Sequence, residues 1–156
     1  SNDDATAGRM VDLIQRGEPA LMLCHWPGMY SNGTKEGFNS FQRVVTALDR
    51  RFRDQTIWMK LSEIARYWAA KELTSLRAID GGFSMDAPFA APGFTVKVKG
   101  RPAANPAVVA GGSTKPLRKV SKRQELAAGT WLADGDSTIV CFDLPRGSSQ
   151  LKLAQA

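Results

Sequence analysis

The single histidine of this chain, His25, ends a short apolar run and precedes a loop rich in turn-forming residues. An imidazole exchanges a proton near neutral pH, which makes His25 the candidate catalytic group of the sequence. Trp26, Tyr30 and Asn32 follow closely, and they are candidate substrate-binding residues because aromatic faces stack on sugar rings and amides hydrogen-bond to hydroxyl groups. The alternative is a structural histidine, with Trp26 and Tyr30 packed over the top of a sheet.

No other group of residues has the spacing of a self-contained catalytic or metal site. Cys24 and Cys141 are too far apart for a zinc ribbon or a CxxC motif, and one histidine does not make a transition-metal site. We interpret both cysteines as buried small side chains, with a mutual disulfide or a reactive Cys24 thiol as alternatives. The sequence contains no phosphate-binding glycine loop and no G-x-S-x-G or H-E-x-x-H motif, so we expect no metal and no cofactor in this chain.

The net charge of +6 is concentrated in the second half of the chain. Residues 1–73 contain ten basic and nine acidic residues, whereas residues 74–156 contain eleven and six. The densest basic run supplies five candidate anion-binding residues: Lys115, Arg118, Lys119, Lys122 and Arg123. No aromatic residue lies among them, which argues against nucleic acid as the partner. Anionic lipid, an acidic polysaccharide or another anionic polymer, and a merely solvated strand or loop face are the interpretations that remain.

The first half of the chain alternates between helical and strand-like patterns. Apolar residues at helical spacing predict helices over 4–16, 38–52 and 61–73, and short apolar runs predict strands over 20–25 and 55–60. Alternation of this kind is typical of parallel βαβ units, which bind ligands beyond the carboxyl ends of their strands. The pattern therefore places His25 at the mouth of a buried parallel strand.

The second half contains short alternating segments separated by turns rich in Gly, Pro, Asn and Asp. Strands are predicted over 75–79, 94–100, 107–111, 117–120, 137–144 and 150–154. We predict an α+β protein in which a small parallel α/β portion, residues 3–73, precedes an antiparallel β-sandwich-like domain, residues 74–156. No apolar run approaches the roughly 20 residues that a membrane-spanning helix requires.

Two short motifs in the first half resemble the end of polysaccharide deacetylases of the carbohydrate esterase type. In that family the penultimate strand of a (β/α) barrel ends in L-x-L-H, and a w-m-x-l-s-e-i stretch closes the sheet. The matching residues here are Leu21, Leu23 and His25, followed by Trp58, Met59, Leu61, Ser62, Glu63 and Ile64. The resemblance covers roughly residues 10–70.

The resemblance implies that His25 is the general acid of a deacetylation. It also implies metal ligands, one aspartate and two histidines, and a catalytic aspartate in barrel strands that this chain does not contain. The chain would then be the C-terminal part of a carbohydrate-active hydrolase, catalytically incomplete by itself and extracellular or periplasmic, or a relative that has lost the chemistry. Its partners would be a polysaccharide or other domains of a larger parent chain. The alternative is a non-catalytic binding or interaction domain of a secreted protein, with a basic patch for anionic polymers.

Overall fold

A computed structural model describes residues 1–153 of the chain. Within these residues the chain is α+β, with four α-helices and nine strands in two sheets. The helices are α1 (Arg9–Gln15), α2 (Trp26–Tyr30), α3 (Glu36–Phe52) and α4 (Leu61–Leu73). The strands are β1 (Ser75–Ile79), β2 (Gly82–Ala87), β3 (Ala91–Lys99), β4 (Ala107–Ala110), β5 (Ser113–Pro116), β6 (Arg118–Val120), β7 (Thr130–Asp134), β8 (Ser137–Leu144) and β9 (Gly147–Lys152). Packing divides the chain into two units, Ser1–Ile64 and a second that starts at Ala65.

The first unit is built on the amphipathic helix α3. Its apolar stripe places Leu48 and Phe52 in a small core with Val11 of α1 and Ala5. Asp3 reinforces this packing, since its carboxylate accepts a hydrogen bond from Arg43 of α3 at 2.7 Å. The sequence pattern predicted both helices, although α1 is shorter than the predicted 4–16.

The two parallel strands predicted for the first unit are not formed. Residues 18–25 and 56–60 are irregular, and His25 therefore does not lie at the mouth of a buried strand. A strand satisfies its backbone N–H and C=O groups only by pairing with a neighbouring strand, and no strand lies within residues 1–64 to supply one. Cys24 is consequently exposed rather than buried, and neither Cys24 nor the buried Cys141 forms a disulfide.

The second unit contains both sheets. The first sheet has the order β1-β2-β9-β4-β5 and is antiparallel throughout. The second has the order β3-β8-β7-β6, in which β6 and β7 run parallel while the other pairs are antiparallel. One apolar core draws residues from both sheets, including Met85, Val108 and Leu151 from the first and Phe94, Val140 and Phe142 from the second.

The C-terminal part of α4 belongs to the second unit. Ala70 is fully buried in the core shared by the sheets, and the Tyr67 ring lies 5.9 Å from that of Phe94. The Tyr67 hydroxyl also accepts a hydrogen bond from the backbone N–H of Thr95. For this reason the division by packing falls between residues 64 and 65, inside the helix, whereas the sequence pattern placed the boundary at 73–75.

Most of the predicted strands are present. Those over 75–79 and 137–144 match β1 and β8, but β2, β5 and β7 lie in segments where the sequence pattern predicts no strand. The predicted strand over 150–154 is the end of β9, and Ala154 lies outside the described residues. No helix within residues 1–153 has both the length and the apolar character needed to cross a membrane.

Candidate functional site

His25 is the residue that caps the N-terminus of α2. Its backbone is extended, and its carbonyl oxygen accepts a hydrogen bond from the N–H of Met29 at 3.1 Å, which closes the first turn of the helix. Pro27 in that first turn suits the position because its missing N–H would have had no helical partner there. The imidazole is exposed to solvent and forms no ion pair within residues 1–153. It is open to a ligand from outside this chain.

Trp26 and Tyr30 form an aromatic pair beside His25. They are four residues apart on α2, and their ring centroids lie 5.9 Å apart with the ring planes at 31°. Trp26 is 74% exposed and Tyr30 is 51% exposed. The two rings therefore do not pack over the top of a sheet. A large, open aromatic surface of this kind can stack on a sugar ring.

Ser31 fixes the turn that follows the aromatic pair. Its hydroxyl donates to the carbonyl of Gly28 at 2.7 Å and accepts from the backbone N–H of Gly37 at 3.2 Å, which ties the end of α2 to the start of α3. The backbones of Gly28 and Gly37 are so close that a Cβ atom on Gly37 would lie 2.0 Å from the Gly28 carbonyl oxygen. This contact requires glycine at position 37.

Three non-glycine residues of this turn have a left-handed backbone conformation. Ser31, Asn32 and Lys35 have φ of 46°, 52° and 60°, a conformation that non-glycine residues adopt at a cost of about 1–3 kcal/mol each. Asn32 is exposed in the 3₁₀ turn Ser31–Gly33, directly after α2. His25, Trp26, Tyr30 and Asn32 thus share one short and tightly hydrogen-bonded segment, although no hydrogen bond joins the side chains of His25 and Asn32 within residues 1–153.

The two irregular stretches, residues 18–25 and 56–60, carry several exposed apolar side chains. Leu23 and Ile57 are 85% and 84% exposed, values that large aliphatic residues rarely show. Leu21, Trp58, Met59 and Leu61 are also exposed. Contiguous stretches of exposed apolar residues mark surfaces that contact other protein.

No set of three or more His, Cys, Asp or Glu side chains within residues 1–153 is grouped so that it could hold a metal ion. Between residues 25 and 30 the titratable side chains are those of His25 and Tyr30.

The five predicted anion-binding residues do not form one face. Lys115 lies on β5 of the first sheet, whereas Arg118 and Lys119 lie on β6 of the second. The chain passes from one sheet to the other at the buried Leu117. Lys119 makes a cation–π contact within the chain, because its ammonium lies 5.1 Å from the centroid of the Trp131 ring.

A different group of cations surrounds the turn between β7 and β8. The Asp134 carboxylate accepts hydrogen bonds from Lys97 of β3 at 2.9 Å and from Arg123 at 2.9 and 3.0 Å. Arg101 donates twice to the carbonyl of Gly135, from Nε at 2.9 Å and from Nη2 at 2.7 Å. Sequence reasoning found Arg123 but missed Lys97 and Arg101, since only the pairing of distant strands brings them to this turn.

Compared with known proteins, the chain matches no family, no curated protein and no solved structure.

Proposed function

We propose that this chain is the closing part of a polysaccharide deacetylase-like hydrolase. In this proposal residues 3–73 complete a (β/α) barrel whose other strands come from a larger parent chain. Residues 74–156 form an appended, sandwich-like β domain. The proposal rests on the motifs around His25 and Trp58 and on the exposure of the segments that carry them.

The observation that carries the proposal is the state of residues 20–25 and 56–60. These segments have the apolar, β-prone sequences of buried strands, yet they are irregular and expose Leu23 and Ile57 almost completely. Burying one large apolar side chain contributes about 1.5–3 kcal/mol. Strands from a parent barrel would supply both that burial and the missing backbone partners.

In this proposal His25 is the general acid of the enzyme. It follows directly on one of the two exposed segments, and its imidazole is open to solvent. When an acetamide is hydrolysed, water adds to the carbonyl carbon and the C–N bond of the tetrahedral intermediate then breaks. An imidazolium at this position donates its proton to the departing nitrogen, so that a neutral amine leaves instead of an amide anion.

Trp26, Tyr30 and Asn32 would hold the sugar that carries the acetamide. The two rings offer a stacking surface next to the proton donor, and the Asn32 amide offers a donor and an acceptor for hydroxyl groups. Within residues 1–153, no group of side chains could hold the metal ion that the family implies. In this proposal the chain therefore contributes only proton donation and sugar positioning.

The experiment is a hydrolysis assay on the natural gene product that contains this chain, with N-acetylglucosamine oligomers as substrate. His25→Gln is expected to lower kcat by about 10²- to 10⁴-fold with a small effect on KM, as is typical when a general acid is removed. Cys24→Ser is the matched control, because Cys24 is exposed and adjacent but has no role in proton transfer. The proposal is wrong if acetate release is absent, or if His25→Gln is as active as Cys24→Ser.

A further inference from the structure

The second unit carries all of the net charge. Residues 1–64 contain eight basic and eight acidic residues, whereas residues 65–156 contain thirteen and seven. Charge so unevenly divided gives one unit a positive field that attracts anionic partners. The first unit, which contains the histidine segment, has a net charge of zero.

The Asp134 carboxylate sits beneath the two cations that bind it. Its side chain is only 22% exposed, while those of Lys97 and Arg123 are 59% and 67% exposed. The negative charge is thus covered and the positive charges face the solvent. The hydrogen bonds from Arg123 and then from Lys97 also hold the pKa of Asp134 below its ordinary value, so the carboxylate remains ionised and keeps both cations in place.

Two more cations extend this surface. Lys99 lies two residues beyond Lys97 on β3, so both alternate onto the same side of the sheet at a separation of about 7 Å. Arg101 is fixed on the Gly135 carbonyl by two of its five N–H donors, which leaves the others available. We name Lys97, Lys99, Arg101 and Arg123 the hairpin cluster; the acidic residues at this turn are Asp134 and Asp136.

We propose that the hairpin cluster binds an acidic polysaccharide. Exposed cations brought together around one turn suit a ligand that repeats a carboxylate or sulfate group along a chain. A single-stranded nucleic acid additionally needs aromatic rings for its bases, and Trp131, the aromatic residue on β7, is buried and covered by Lys119. This binding does not depend on the proposed deacetylase function.

The experiment titrates the full chain with polygalacturonate, with dextran sulfate and with uncharged dextran, at 50 and 200 mM NaCl. The triple variant Lys97→Gln, Arg101→Gln, Arg123→Gln is compared with the triple variant Arg77→Gln, Arg146→Gln, Lys152→Gln. The second variant removes the same charge from exposed positions on and beside the first sheet.

Binding is expected to one or both acidic polymers and not to dextran, and to weaken at the higher salt concentration. The first variant should lose at least tenfold in affinity and the second less than threefold.

Because removing cations from Asp134 could also disturb folding, the charge-preserving variant Lys97→Arg, Arg123→Lys is included. It should bind within threefold of the natural chain. Comparing the two acidic polymers identifies whether carboxylate or sulfate is preferred. The proposal is overturned if neither polymer binds, if both triple variants lose affinity equally, or if duplex DNA of equal charge binds more tightly than either polymer.

Discussion

The backbone of Gly37, at the start of α3, contacts the backbone of Gly28 in α2. A Cβ atom at position 37 would lie 2.0 Å from the Gly28 carbonyl oxygen. Gly37→Ala must therefore push α2 away from α3, and we expect it to lower the free energy of unfolding by about 1–3 kcal/mol. Urea denaturation followed by tryptophan fluorescence measures this change.

Gly28→Ala provides the control for that prediction. A Cβ at position 28 meets no other atom within 4 Å, and alanine is a better helix former than glycine by about 1 kcal/mol. We expect no loss of stability from this substitution. Equal destabilisation by the two variants would show that the close contact is not what fixes the segment.

Trp26 and Tyr30 should determine binding of neutral sugars to the first unit. Trp26→Ala removes one of the two paired rings and is expected to weaken binding of N-acetylglucosamine oligomers by at least fivefold, a loss of about 1 kcal/mol in stacking energy. Trp68→Ala, which removes another exposed tryptophan, should leave binding unchanged. Isothermal titration calorimetry measures both, and a larger effect at Trp68 would rule out the aromatic pair as the sugar-binding surface.

Leu151 and Leu76 differ in burial, and their truncation should differ accordingly. Leu151 of β9 is fully buried in the core shared by both sheets, so Leu151→Ala should cost about 2–5 kcal/mol. Leu76 lies on the edge strand β1 and is exposed, so Leu76→Ala should cost less than about 1 kcal/mol. Chemical denaturation of the two variants checks the placement of the core. Similar losses would mean that β9 does not occupy its centre.

The Asp134 carboxylate should give the second unit an acid-labile contribution to stability. Arg123 and Lys97 lower the pKa of Asp134 from its ordinary 3.8, so the ionised form is favoured in the folded state. The contribution is complete above the unfolded pKa and is lost as the pH falls through the lower folded pKa. The stability difference between the natural chain and Asp134→Asn should thus be constant above about pH 5 and shrink below pH 4. Thermal unfolding across pH 2–7 measures it, and a difference that grows toward low pH would contradict the ion pairs.

The sequence predicted the helices and strands that are determined by the residue pattern of a single segment. The 3.6-residue spacing of apolar residues predicted α3 and α4, and a run of β-branched residues predicted β8. The run Gly82–Ala87 has low strand propensity, and the sequence pattern predicts no strand there. It forms β2 because it lies between β1 and β9, where a Cβ on Gly82 would lie 2.0 Å from the Leu151 carbonyl oxygen. That requirement comes from the partner strand and leaves no signal in the segment itself.

At residues 20–25 and 55–60 the sequence pattern predicted strands that the structure does not contain. Their composition is typical of strands, but composition cannot supply the neighbouring strand that a ladder needs. The hairpin cluster shows a similar limit, because Lys97 and Arg101 reach Asp134 and Gly135 only through the pairing of β3 with β8 and of β8 with β7. Charge density along the sequence found Arg123 and could not find the residues from β3.

The central proposal is that residues 20–25 and 56–60 are strands that lack their partners. Amide hydrogen exchange of these segments, compared between the isolated chain and the natural gene product that contains it, tests this claim most directly. We predict exchange within seconds in the isolated chain and strong protection in the gene product, where the parent barrel pairs with both segments. Equally rapid exchange in both, or a gene product that contains no other domain, would contradict the account.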